Sequence, residues 1–150
     1  MKLLRLLALL LGIATFSCLA QAKQLAVVAD TGNSAASLST AELVKIFSGH
    51  TRTWPDGRQI TVVMRDPASL DMQLVLRKLF NMSPDQVRTL SQTHPGMIVI
   101  ADSDDAILRF VSSNRGAIGV IDLYSLTKDV KVLKIDDKLP VEQGYLLRGN

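Results

Sequence analysis

The sequence has very little of the side-chain chemistry that builds metal or nucleophilic sites. Cysteine occurs once, at Cys18, and histidine twice, at His50 and His94. Neither histidine has a second ligand at a metal-binding spacing, and no Gly-x-Ser-x-Gly nucleophile motif occurs. We therefore expect no metal, no cofactor and no enzymatic activity.

The chain also lacks an apolar run long enough to span a membrane, which takes about 20 residues. Its clearest apolar stretch, residues 6–16, follows two basic residues and precedes an Ala-Gln-Ala sequence that ends at Ala22. This layout is typical of a secretory signal peptide with a small-residue cleavage site. We predict a signal peptide at residues 1–22, cleavage after Ala22, and a periplasmic mature protein. Acylation of Cys18, as in a lipoprotein, is the alternative.

No strong excess of charge remains once that segment is removed. Residues 1–22 carry 2 of the 17 basic residues, which leaves 17 − 2 = 15 basic against 14 acidic side chains. No basic face with interleaved aromatic side chains occurs, which argues against a nucleic-acid partner. Since the only cysteine lies in the same segment, the mature chain has no disulfide and depends on an ordinary core. We predict a single domain at residues 23–150.

Short apolar runs alternate with helix signals along this domain. Strands are predicted at residues 25–29, 60–64, 97–101, 117–121 and 130–135, with a weaker one at 145–147. Ser39 with Glu42 and Ser83 with Gln86 have the spacing of capping boxes, so two helices are predicted to start there. Further helices are predicted at 69–80 and after Asp105. The alternation predicts an α/β fold around a mixed, largely parallel sheet.

Four segments of the chain resemble the phosphate-type substrate-binding proteins of bacterial ABC importers. They lie at residues 38–49, at 54–57 (Trp-Pro-Asp-Gly), at 62–66 (Val-Val-Met-Arg-Asp) and at 116–120 (Gly-Ala-Ile-Gly-Val). Their order and spacing, with Tyr-Leu-Leu-Arg near the end, carry the resemblance over most of residues 25–148. The resemblance implies one lobe plus hinge strands of a type II periplasmic binding protein. It also implies capture of a small oxyanion such as phosphate, without catalysis, for an importer.

The anion-binding turn of this family has an arginine followed by a Gly-Ser-Gly-Thr-like sequence. Arg65 and Ser69 match that pattern, so the resemblance makes them the predicted ligand-binding residues. Alanine, leucine and Asp71 replace the two glycines and the threonine. The added side chains hinder close approach of the backbone to an anion, and Asp71 brings negative charge. The alternative is that Ser69 only caps a helix and Arg65 only pairs with Asp66 or Asp71.

The length of the chain leads to a second functional hypothesis. Members of the family are about twice as long and close two lobes around the ligand. The alternative function is therefore an exported protein-interaction module that keeps the fold and has lost the anion site. Its partners would be the membrane subunits of an importer, or a second copy of the chain that completes the cleft. Trp54 is expected to anchor the core or a hinge.

Overall fold

The computed structural model describes residues 23–149, so the predicted signal peptide lies outside the described residues. The strands are β1 (Leu25–Asp30), β2 (Ser37–Leu38), β3 (Thr61–Met64), β4 (Ile98–Ile100), β5 (Ala117–Asp122), β6 (Val130–Val132) and β7 (Lys134–Ile135). The helices are α1 (Thr40–Phe47), α2 (Leu70–Val75), α3 (Pro84–Thr93) and α4 (Asp104–Ser113). A π-helical turn (Leu76–Phe80) extends α2, and a 3-10 turn (Leu123–Ser125) follows β5.

Five of the strands form one sheet in the order β4-β3-β5-β1-β6, and β2 pairs with β7 in a small parallel sheet. In the large sheet β3 runs parallel to β4 and β5, whereas β1 runs antiparallel to β5 and β6. Four of the five strands therefore point the same way and only β1 is reversed. The predicted mixed, largely parallel α/β sheet is confirmed.

Helices cover both faces of this sheet, which is why the apolar runs of its central strands are almost unbroken. All six residues of β1 are buried. Leu25 and Val27 belong to the larger apolar cluster, which includes residues of α1, α2 and α3. Ala26 and Val28 belong to the second cluster, which is formed with α4. A strand buried on both faces has no polar alternation, as expected for the centre of an α/β sheet.

The helix starts predicted from capping boxes are confirmed. Ser39 caps α1, and its hydroxyl accepts a hydrogen bond from the Glu42 N–H while the Glu42 carboxylate accepts one from the Ser39 N–H. Ser83 and Gln86 make the same reciprocal pair at the start of α3. Among the described residues, no helix has the length and hydrophobicity that a membrane span requires.

Of two strand predictions near the C-terminus, the one at 130–135 is confirmed only as two shorter strands and the one at 145–147 is wrong. Residues 130–135 form two strands, because the chain changes partners around Leu133, whose N–H donates to the Val27 carbonyl. The next N–H, that of Lys134, donates to the Ala36 carbonyl instead, so β7 joins β2. Residues 145–147 are not a strand, and Arg148 makes only an isolated bridge to Gln24.

Candidate functional site

The parallel strands direct several polar side chains to one edge of the large sheet. Since β3, β4 and β5 run the same way, their carboxyl ends lie at this edge, and the reversed β1 begins there. Lys23 precedes β1, Arg65 follows β3, and Asp122 is the last residue of β5. Such a carboxyl edge is where ligands bind in open α/β sheets. We call it the carboxyl edge below.

Arg65 is held at the carboxyl edge by two carboxylates. Its Nη2 atom donates a 2.8 Å hydrogen bond to Asp71 Oδ2, and its Nε atom lies 3.0 Å from Asp104 Oδ1. The second contact is an ion pair without the alignment of a hydrogen bond. Asp66, the other partner considered from sequence, pairs instead with Arg88 at 2.6 Å.

Ser69 occupies the N-cap position of α2 with an extended backbone, but its side chain does not act as a cap. The hydroxyl oxygen is buried, and no described residue forms a hydrogen bond with it. Ser69 thus lies at the helix start where the sequence predicts a cap, but its hydroxyl does not form the cap hydrogen bond. The structure leaves Ser69 Oγ as a donor with unused capacity, four residues after Arg65.

Asp71 also contacts a second cation, Lys23. Lys23 Nζ lies 3.3 Å from Asp71 Oδ1 and 3.0 Å from Asp122 Oδ2. The hydrogen bond to Asp122 is the main reason that the pKa of Lys23 is raised, with Asp71 adding to it against partial burial. Burial acts to raise the pKa of Asp122, but the Tyr124 N–H and Lys23 outweigh it, so the pKa of this carboxyl is lowered. Both groups are therefore held in their charged forms.

Asp104 connects α4 to the end of β5. Its Oδ2 atom accepts hydrogen bonds from the Asp122 N–H at 2.9 Å and from the Ser125 hydroxyl at 2.7 Å. Its other oxygen lies against Arg65. The sequence explains Asp104 only as an acidic residue in the first turn of a helix. Its contact with Arg65 depends on the tertiary fold.

Together these residues form an ion cluster of two cations and three carboxylates, with a formal charge of 2 − 3 = −1: Lys23, Arg65, Asp71, Asp104 and Asp122. Sequence reasoning identified Arg65 and Asp71 and missed the other three. The only local signal for those three is that each lies at the start or end of a predicted strand or helix. A charge at such a position is common, so the signal is weak.

A cavity of about 250 Å³ adjoins the ion cluster. It is lined by Lys23, Leu70, Asp71, Gln73, Leu74, Arg77 and Gly149. Arg77 is exposed, and none of the ion pairs found among the described residues includes it. The cavity thus brings an unpaired guanidinium near a carboxylate that is already shared by two cations.

A larger hollow, of about 590 Å³, lies away from these charges, between α1 and the turn at Trp54. The Trp54 side chain is buried, and its Nε1–H donates a 3.0 Å hydrogen bond to the Gly116 carbonyl. Trp54 is therefore an anchor in the core, as expected from sequence. His50 and His94 each contact a neighbouring hydroxyl, and no metal-binding group of three side chains occurs among residues 23–149.

The comparison with protein families gives one match. The family model described as a PBP superfamily domain matches residues 14–146. No curated protein matches the chain.

Solved structures of phosphate-binding proteins share the fold. An ABC-type phosphate transport receptor from Vibrio cholerae aligns with a TM-score of 0.70 at 20% identity, covering 86% of this chain and 55% of its own. PstS from Borrelia burgdorferi aligns with a TM-score of 0.70 at 18% identity, covering 87% and 56%. A phosphate-binding protein from Stenotrophomonas maltophilia gives 0.64 at 22% identity, covering 80% and 41%. The chain thus spans about half the length of the structures it matches.

Proposed function

The chain belongs to the PBP superfamily, and from that premise we propose that it is an exported, non-catalytic binding protein for a small oxyanion, phosphate first. Arg65 would supply the cation and Ser69 a hydroxyl donor. The partners in transport would be the membrane subunits of an ABC importer. Solved structures with the same fold are named as phosphate-binding proteins or receptors, which supports phosphate as the first ligand to test.

One observation carries the proposal. The loop after β3 places at the carboxyl edge a guanidinium, that of Arg65, and a buried hydroxyl without a partner among the described residues, that of Ser69. A buried hydroxyl that lacks a hydrogen bond costs about 1–3 kcal/mol, so a ligand oxygen that accepts from it would recover stability. Charge-assisted bonds from an arginine to an oxyanion are the strong class of hydrogen bonds.

Titration calorimetry of residues 23–150 with phosphate and with sulfate tests the proposal. We expect binding in the wild type and a loss of about tenfold or more in Arg65→Gln, since charged hydrogen bonds contribute about 1.5–3 kcal/mol. Phosphate at 100 times its Kd should also raise the free energy of unfolding by about 2.7 kcal/mol.

Arg109→Gln is the matched control, because Arg109 is an exposed arginine of α4 outside the ion cluster. Arg65→Lys keeps the charge and loses the two-pronged donor, so it should fold and still bind weakly. Equal phosphate affinity in wild type and Arg65→Gln, or no heat and no thermal shift with millimolar phosphate, would contradict the proposal.

A second candidate function, an exported protein-interaction module, is favoured by a different observation. Three large side chains at or after the carboxyl ends of the parallel strands are exposed: Leu70 by 82%, Tyr124 by 77% and Ile100 by 38%. Exposed large apolar side chains that lie together in a patch are typical of a protein-binding surface. The partner would be an importer subunit or a second copy of the chain.

Sedimentation of the wild type and of Leu70→Ser at tens of micromolar separates these partners. Self-association that is lost in Leu70→Ser supports a second copy. A monomer at every concentration, together with no crosslinked partner in the cell envelope, would exclude the interaction module.

A further inference from the structure

The Asp71 carboxylate contacts the guanidinium of Arg65, the group to which the proposed oxyanion would bind. Its two oxygens contact two different cations, Oδ2 at 2.8 Å from Arg65 Nη2 and Oδ1 at 3.3 Å from Lys23 Nζ. A carboxylate is itself a small oxyanion with the same preference for paired N–H donors as phosphate. Within the ion cluster, Asp71 is thus the one carboxylate that bridges the two cations, and it belongs to the chain itself.

A phosphate that contacted Arg65 with Asp71 still in place would meet like charge. The cluster already carries one more carboxylate than it has cations. Charges that are partly buried are screened less by salt than charges in open water, so this repulsion would persist at physiological ionic strength. Phosphate and the Asp71 carboxylate thus compete for the same donors.

A third cation, Arg77, lines the same cavity as Asp71. Asp71 is partly exposed and lines the 250 Å³ cavity, together with Arg77. Arg77 is in none of the ion pairs formed by the described residues. A change of the Asp71 side-chain rotamer toward the cavity would break its hydrogen bond to Arg65 Nη2 and leave the contact between Arg65 Nε and Asp104 in place.

We propose that Asp71 is an internal competing anion: a small oxyanion binds Arg65 by displacing the Asp71 carboxylate, which then turns toward Arg77. This inference rests on the proposed function. Asp71 sets the affinity, because a site that is free in only a fraction of the molecules binds with an apparent affinity reduced by that fraction. Arg77 is a positioning residue that acts through Asp71 and does not touch the ligand.

Phosphate titrations of Asp71→Asn and of Asp105→Asn test the competition. Asp105→Asn is the matched control, because Asp105 is an exposed aspartate of α4 that takes part in none of the ion pairs formed by the described residues. If Asp71 occupies Arg65 in about nine-tenths of the molecules, its removal tightens phosphate binding about tenfold. The Asp105→Asn variant should change the Kd for phosphate by less than about threefold. Asp71→Ser provides a second neutral variant, and circular dichroism establishes that each variant folds.

A double-mutant cycle tests the role of Arg77. Arg77→Gln should weaken phosphate binding in the wild-type background and have no effect in the Asp71→Asn background, because no carboxylate then needs a second partner. A purely structural role of Arg77 would give the same change in both backgrounds.

The outcomes separate this inference from the proposed function. Phosphate binding that is tight in the wild type and equal or weaker in both Asp71→Asn and Asp71→Ser overturns the competition and leaves oxyanion binding intact. Absence of phosphate binding in the wild type and in every Asp71 variant overturns both.

Discussion

Two serines stand at the N-cap position of their helices and use their hydroxyls differently. Ser39 closes a capping box with Glu42, and the hydrogen bond from the Ser39 N–H lowers the pKa of the Glu42 carboxyl. Ser69 has the same extended backbone and no bond from its hydroxyl to α2. Both serines are predicted as caps from the sequence, because the preference for the N-cap position depends on residue type. Whether the hydroxyl forms the cap hydrogen bond depends on the side-chain rotamer and on the neighbouring turn.

The two serines therefore differ in their predicted effect on stability. Ser39→Ala should lower the free energy of unfolding by about 0.5–2 kcal/mol through loss of the cap. Ser69→Ala should be neutral or slightly stabilising, since it removes a buried hydroxyl that lacks a partner among the described residues. Urea unfolding of the ligand-free protein measures both. A loss of more than about 1 kcal/mol in Ser69→Ala would show that this hydroxyl has a structural role.

At the scale of elements, local signals located most helices and strands but not their partners. The start of α3 follows from the residues at Ser83 and Gln86 alone. The helix predicted at 69–80 exists, but its second half is a π-helical turn that ends at Asn81 in the left-handed conformation. A π-helical turn differs from an α-helix in that each backbone hydrogen bond spans one more residue. The spacing of apolar residues in the sequence does not reveal this difference.

The junction between α4 and β5 depends on Gly116. A Cβ atom at Gly116 would lie 2.3 Å from the Gln59 carbonyl oxygen. The φ angle of Gly116 is +91°, in the left-handed region. Gly96 has a similar φ of +84° with open space where its Cβ would lie. Comparing alanine substitutions at the two glycines therefore separates the cost of the left-handed backbone from the cost of the steric clash.

Gly96→Ala should cost about 1–2 kcal/mol from the left-handed backbone alone. Gly116→Ala should cost at least about 2 kcal/mol more, because the Gln59 carbonyl belongs to the backbone next to β3 and cannot move aside easily. Urea unfolding of the two variants measures the difference. Equal losses of unfolding free energy in the two variants would indicate that the backbone around Gln59 shifts to accommodate the added Cβ atom.

For the whole molecule, the family and the fold agree with the sequence, and export remains a prediction. Cleavage after Ala22 would leave Lys23 as the first residue and remove Cys18, the only cysteine. Lys23 is also a member of the ion cluster at the carboxyl edge. The predicted mature chain thus begins beside the site proposed to bind a ligand.

Expression of the full sequence in a Gram-negative host tests this boundary. We expect the periplasmic fraction to contain a protein whose intact mass corresponds to residues 23–150 and which does not react with a thiol reagent, because a free thiol is absent. An acylated chain that starts at Cys18 would instead support the lipoprotein alternative. Retention of the full-length chain in the cytoplasm would contradict export altogether.

Local signals along the chain suffice for three features: the buried strands, the capping boxes, and the family resemblance carried by short segments in order. The family resemblance also predicts Arg65 and Ser69 as ligand-binding residues, which remains a prediction, and it marks Asp71 as a departure from the family pattern. Which charged side chains contact one another depends on the tertiary fold. Lys23, Asp104 and Asp122 are distant in the chain, and only the strand order brings them to Arg65 and Asp71. The pairing of Arg65 with Asp71 was one of the alternatives read from the sequence, but strand pairing depends on contacts summed over the whole sheet, so no local pattern could have shown the contacts with Asp104 and Lys23.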